Sequence, residues 1–276
     1  MATSVNLEKP KETGSIGSIG GKPPRRSISG PLISAAAIVA LLILWWVLTT
    51  GTKLIPGLFF PSPESLLTAV ATLKMQLLND ALATLMRVIV SWAAGSILGI
   101  LTGLAMARSQ VLRFALTPLI EALRPVPPVA LIPFVILWFG IGDNGKIFLG
   151  ALACFMVMVV NTTVAVSNVP PVYTQAARSL GASESRIYRT VILPAITPEL
   201  LSGFRIGSAL AFAVIVAAEF LGANDGIGRL IMQASRTLNT SVVLLGTIVI
   251  AILAVLLDQV IWRVSARVTR WSANRS

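Results

Sequence analysis

VYTQAARSLGASESRIYRTVILP, residues Val172 to Pro194, is a polar interlude between two long apolar segments. Tyr173, Ala176, Ala177 and Leu180 fall at i, i+3, i+4 and i+7, which predicts a short helix with one apolar face. Gly181 stops that helix, because glycine takes the left-handed C′ conformation at little cost. Ser183 is positioned to cap a second short helix over Glu184 to Ile192. In it Ile187 and Val191 share a face while Arg186 and Arg189 project elsewhere. Pro194 is expected to limit its extent. Two short amphipathic helices joined by a glycine and held at a membrane surface make a docking element, not a catalytic one.

The flanks of the interlude set the class of protein. The chain has 276 residues, 55% hydrophobic and only 12% charged, against about 25% charge in a soluble domain. Most of it must face lipid or other apolar helices. Cys154 is the only cysteine and histidine is absent. These two facts exclude an internal disulfide, a His-ligated metal site and Ser-His or Cys-His catalysis. The net charge of +11 sits at the ends of apolar segments, where it sets topology and does not mark a nucleic-acid surface.

Upstream of the interlude, Ile147 to Val166 reads as a spanning helix that carries Cys154 and Asn161. Before it, Gly140-Ile-Gly-Asp-Asn-Gly145-Lys146 nearly matches a phosphate-binding loop. Ile147 stands where a Mg²⁺-binding hydroxyl is needed, so we read an external turn. Val111 to Gly142 is apolar on both sides of a break formed by Glu121, Arg124 and Pro125-Val126-Pro127-Pro128. Prolines remove backbone donors, and such breaks at membrane depth are tolerated where they are buried or line a cavity. Two readings stand for this segment. In one, Glu121 and Arg124 pair at i, i+3 near an interface; in the other, Arg124 and Pro127 line a translocation pathway.

A long helix from about Asp80 to Ala107 carries Gly95, Gly99 and Gly103, a stripe that admits a second backbone closely. Packing within the subunit is favoured over a dimer seam. Arg87 lies about two turns into this helix and either snorkels to the interface or helps attract an anion. Ser62-Pro63-Glu64 starts a preceding amphipathic helix with an N-cap, a proline at N1 and an acid. Leu32 to Thr50 is uncharged and long enough to span a core of roughly 30 Å. It reads as an uncleaved first span behind a low-complexity, disordered tail over residues 1–30.

Downstream, Thr197-Pro198-Glu199 repeats the cap, proline and acid and is expected to launch the fifth helix, to about Leu221. Gly203 and Gly207 add a close-packing pair. Glu219, near its far end, pairs with Arg87 or Arg229 or takes part in transport. Asn224 to Thr240 reads as an external loop with a short helix, and Val242 to Trp262 as the last span. Asp258 is expected to be an interfacial acid near Arg263. With both termini inside, fifteen of the 22 Lys and Arg residues fall on the inner side and six on the outer, Arg124 being left unassigned. That bias fits the positive-inside rule and puts the interlude in the cytoplasm.

With the spans in order, Gln175-Ala176-Ala177, Gly181 and Val191-x-Leu193-Pro194 resemble the cytoplasmic EAA loop of binding-protein-dependent ABC importer permeases, EAA-x3-G-x9-I-x-LP. RPVPPVALIPFVILWFGIG (Arg124–Gly142) and AAEFL (Ala217–Leu221) are similar to the branch serving taurine, aliphatic sulfonates and nitrate. The likeness runs from about Leu32 to Trp271. It implies an all-α integral membrane protein of about six spans with the type I importer (MetI-like) permease fold. In that organisation residues 31–271 form the permease domain, 172–194 its coupling loop with cytoplasmic coupling helices, and 272–276 a short tail.

The resemblance implies ATPase coupling through Gln175, Ala176, Ala177, Gly181, Leu193 and Pro194. It also implies a second permease copy, two ATPase subunits that carry the ATP and Mg²⁺, and a periplasmic or lipid-anchored solute-binding protein. The expected place is the bacterial cytoplasmic membrane, and the expected cargo a small anion such as taurine or another sulfonate. Nitrate, bicarbonate, aromatic acids and pyrimidine precursors stay open. This chain itself is expected to hold no catalytic residue, metal or cofactor. Gln175 replaces the family's glutamate, so an ionic contact there becomes a neutral hydrogen bond. An ion-coupled transporter, with Glu121, Glu219 and Asp258 relaying protons, is the competing class.

Overall fold

Every regular element among the described residues is helical, as an apolar chain in lipid requires. The structure, a computed structural model, describes residues 29–52 and 55–269. Residues 1–28 of the tail expected over 1–30, and the tail expected over 272–276, lie outside them. The chain divides into two units, Met1–Trp45 and Trp46–Ser276. The first contains most of α1 (Ser29–Trp46), which runs into a π turn at Val47–Gly51. Its apolar side chains from Leu32 to Leu44 lie exposed, as a lipid-facing helix demands.

The second unit begins its helices with α2 (Pro63–Arg108), whose N-cap is Ser62: its Oγ accepts from the Ser65 N–H at 3.3 Å. The expected amphipathic helix and the long helix after it are joined directly. They break at Lys74, where φ is 28° and ψ −103°, and no loop precedes Asp80. α3 (Gln110–Leu123) and α4 (Ile132–Phe139) flank the proline break, with a 3-10 turn at Pro128–Leu131. Helix axes on the two sides of the break meet at 84°. Among the described residues five helices are long and apolar enough to cross a membrane, or six if this bent pair is one span.

α5 (Asp143–Ser167) is the central post, packed against both α2 and α8 (Leu193–Leu221). The glycine stripe explains the first contact. A Cβ on Gly95 would lie 2.2 Å from the Ala151 carbonyl oxygen, and one on Gly99 or Gly103 would lie 2.7 Å from the Cβ of Met158 or Thr162. The stripe therefore packs within the chain, leaving backbones too close for any side chain. On the other side Ile132 and Val135 of α4 join Leu149, Ala153, Val214 and Ala218 in one buried cluster.

Two expectations about helix ends need correction. The interlude's second helix does not stop at Pro194. α7 (Glu184–Ile187) passes through a π turn at Tyr188–Ile192 and continues as α8. In the wider turn the Leu193 N–H reaches the Tyr188 carbonyl, five residues back, so Pro194 enters at the start of a new α-helical register. Pro198 is likewise inside α8, not at its start. The short helix expected after Asn224 is present as α9 (Ile227–Arg236), and it buries Ile227, Leu230, Ile231 and Ala234. It packs on α2, α8 and α10 (Thr240–Val268).

Candidate functional site

The interlude folds as two short helices set at a glycine. α6 (Pro171–Ser179) ends in a Schellman motif: Gly181 has φ +77°, its N–H bonds the Arg178 carbonyl at 2.8 Å, and the Ala182 N–H bonds that of Ala177 at 3.0 Å. Ser183 then caps α7 through the Arg186 N–H at 3.4 Å. Arg178 Nε and Nη2 donate to the two carboxylate oxygens of Glu184 at 2.9 and 3.3 Å, a clasp across the joint. That hydrogen bonding holds the Glu184 carboxyl below the ordinary carboxylate range. The continuous helix Glu184–Leu221 has 38 residues, about 57 Å, nearly twice a bilayer core. Its first turns therefore stand outside the membrane.

Of the six coupling candidates, Gln175, Ala176 and Gly181 are exposed, while Ala177, Leu193 and Pro194 are half-buried. Ile187, Ile192 and Ile196 anchor the elbow in a cluster with Met158, Ala165 and Leu200. The apolar face expected on the first helix turns outward: Val172 and Tyr173 are exposed, and Leu180 is 89% exposed. Such a patch on a segment standing off the bundle suits a partner protein's groove.

The four pathway candidates separate into two places. Arg87 and Glu219 meet in a buried cluster at the end of the bundle away from the elbow. Arg87 Nη1 donates to Glu219 Oε1 at 2.7 Å, and Glu219 is 1% exposed. Glu219 also accepts from Thr84 Oγ1 at 3.0 Å and from the Gly228 N–H at 2.9 Å. The rest of the Arg87 guanidinium pairs with Asp143 at 2.7 Å and with Asp225. Asp80 accepts from the Gly226 N–H at 2.8 Å and lies 3.5 Å from Arg229. Both oxygens of Glu219 are thus engaged by donors, which is what makes a buried carboxylate tolerable.

Sequence reasoning reached Arg87 as one partner of Glu219 but missed Asp80, Thr84, Asp143, Asp225 and Gly228. The only available signal was topological: Asp143, Asp225 and Gly228 lie at or beside helix ends, whereas Asp80 and Thr84 lie inside α2 and carried no such mark. Asp258 is corrected too: it takes a bidentate pair from Arg205, both contacts 2.7 Å, while Arg263 bonds Gln259. Lys146 of the near-match phosphate loop donates to the Ile141 carbonyl at 2.8 Å, closing the turn on itself.

Arg124 and Pro127 lie elsewhere, on a cavity of about 400 Å³ walled by the break between α3 and α4, by α5 and by α8. Arg124 is exposed and, among the described residues, forms no ion pair, so the expected pairing with Glu121 is absent.

Comparison with known proteins converges on one family. Residues 95–270 match the model of the binding-protein-dependent transport system inner membrane component. The taurine transport system permease protein TauC of Escherichia coli is 38% identical over 246 residues, covering 87% of this chain and 89% of that protein. The nitrate import permease protein NrtB of Synechocystis is 31% identical over 253 residues, covering 87% of this chain and 90% of that one. Among solved structures, an inward-facing MetNI methionine ABC transporter chain matches with a TM-score of 0.58 at 22% identity, over 70% of this chain and 96% of that chain. That likeness concerns the fold alone. The chain belongs to the binding-protein-dependent transport system inner membrane components, as an ABC importer permease of the taurine, sulfonate and nitrate group.

Proposed function

We propose that this permease moves a small anion, taurine or another sulfonate first, across the bacterial cytoplasmic membrane by alternating access. The observation that carries the substrate is the 38% identity to a taurine permease over most of both chains. The relative named for nitrate import supports nitrate as the second reading. In this proposal two copies pair in the membrane with both termini in the cytoplasm, and a periplasmic or lipid-anchored binding protein delivers the solute. Two ATPase subunits bind ATP and Mg²⁺, and the chain works without catalysis of its own.

Energy enters through the elbow. Gln175, Ala176, Ala177 and Gly181 sit in the ATPase groove, while Leu193 and Pro194 join the elbow to α8. A rigid pair of helices continuous with a spanning helix converts ATPase closure into helix tilt, opening the path first outward and then inward. The ion-coupled alternative is disfavoured because Glu219 and Asp258 are each locked to an arginine. On the pathway, Arg124 and Pro127 line the route, and Arg87 with Glu219 braces its outer end.

Uptake of radiolabelled taurine and nitrate in cells with and without the gene tests the substrate. Loss of taurine uptake on deletion supports the reading, and unchanged uptake of both contradicts it. For the elbow, Gly181→Glu is expected to abolish substrate-stimulated ATP hydrolysis with membrane insertion intact; undiminished stimulation would exclude docking there.

A further inference from the structure

The cavity beside the proline break holds one charged side chain, Arg124, and one uncharged polar side chain, Asn161. Everything else on its wall is apolar or proline, including Met156, Val157, Ile206 and Leu210. We propose that Arg124 and Asn161 form a transit site for an organic anion: the guanidinium and amide bind the acidic head, and the apolar wall takes a short hydrocarbon body. This rests on the import reading above and adds a binding site inside the permease.

Four observations support it. Depth comes first: the wall residues of α5, Ala153 to Asn161, lie about 15 to 27 Å along a helix of about 37 Å. That is the middle of the membrane and below, where a charge is costly and marks a pathway unless it is paired. Arg124 is unpaired, and its side chain makes no hydrogen bond among the described residues. Arg205, on α8 next to the wall residue Ile206, is by contrast committed to Asp258.

Second, the backbone offers an anion nothing. Pro125, Pro127 and Pro128 have no N–H, and that of Val126 bonds the Leu123 carbonyl at 3.0 Å. Donors must come from Arg124 and Asn161, and a guanidinium fork suits a sulfonate or carboxylate. Third, the sequence makes room for Asn161: a Cβ on Gly203 would lie 2.9 Å from its Nδ2. Fourth, a cavity of about 400 Å³ is within the range of small-molecule sites. It exceeds what an inorganic anion needs, so an alkanesulfonate fills it better than nitrate does.

The test uses the assembled transporter in cells, with uptake of radiolabelled taurine, butanesulfonate and nitrate. Membrane level and the unstimulated ATPase rate are read in parallel for each variant. Arg124→Gln should lower sulfonate uptake by about tenfold or more, the loss expected for a hydrogen-bonded charge, with Arg124→Lys intermediate. Asn161→Leu, matched in size, and Gly203→Ala should both lower it several-fold. Nitrate uptake, where present, should fall less for the last two. If Arg124→Gln fails to reach the membrane, Asn161→Leu and Gly203→Ala decide. Wild-type sulfonate uptake in the variants at equal membrane level overturns the site alone. A wild-type chain that imports none of the three anions removes the import reading and the site with it.

Discussion

Arg87 faces three carboxylates at once, Asp143, Glu219 and Asp225, from three different parts of the chain. Glu219 is the one that cannot reach water, so its charge depends on Arg87, Thr84 and the Gly228 N–H. Arg87→Leu leaves that carboxylate buried without its cation, which costs about 3–5 kcal/mol. The expected readout is a markedly lower melting temperature of the detergent-purified protein. Pairing Arg87→Leu with Glu219→Leu should lose less than the two single changes summed, because the other carboxylates are open to solvent. A strictly additive double variant would deny the coupling. Gly228→Ala attacks the same place by volume, since its Cβ would lie 2.6 Å from that of Glu219 and 2.8 Å from the Val216 carbonyl oxygen. We expect about 1–3 kcal/mol of destabilisation from the displacement of α9. Topology alone made Arg87 and Glu219 candidate partners. Asp143 and Asp225 were not legible because they sit 56 and 138 residues from Arg87, and no local pattern encodes a contact at that range.

Among the elements, the elbow was the most legible and its exit the least. Gly181 and Ser183 carry local chemistry, a left-handed turn and an N-cap, that the fold repeats residue for residue. Pro194 misled because the rule that proline ends a helix assumes an α-helical ladder, and the π turn before it changes the register. The Lys74 kink was illegible for a related reason: a lysine at φ 28° follows from the tertiary position of the helix, not from its own preference. Gly181 allows a clean experiment, since a Cβ there meets nothing within 4 Å. Gly181→Ala should therefore cost only the left-handed strain of about 1–2 kcal/mol and keep most substrate-stimulated ATP hydrolysis, unlike Gly181→Glu. Equal loss in both would place the defect in the turn itself and not in a partner's groove. At the packed interface the expectation reverses. Gly99→Leu drives a side chain into the Met158 Cβ and the Phe155 carbonyl oxygen, and should prevent the folded chain from accumulating in the membrane.

At the largest scale, the unit Trp46–Ser276 is anchored by α5, tied at one end by the Arg87 cluster and extended at the other into an exposed, glycine-jointed elbow. Its family membership was readable before any coordinates, because the elbow's spacing and the proline break occur in order along the chain. The cavity was only half readable: Arg124 and Pro127 stood out by type, whereas Asn161 joins them only once α5 is packed against the break. The single cysteine now becomes useful. Cys154 is buried against the Gly207 carbonyl at 3.2 Å, so Cys154→Ala should yield a folded, cysteine-free transporter. Into that background Ala176→Cys places a lone thiol on the exposed face of the elbow. Treating inverted and right-side-out vesicles with a membrane-impermeant maleimide, and then cross-linking the assembled transporter, addresses the central claim directly. The account predicts labelling in inverted vesicles only, protection by the ATPase and a cross-link to it; labelling from the periplasmic side, or the absence of any ATPase adduct, would contradict it.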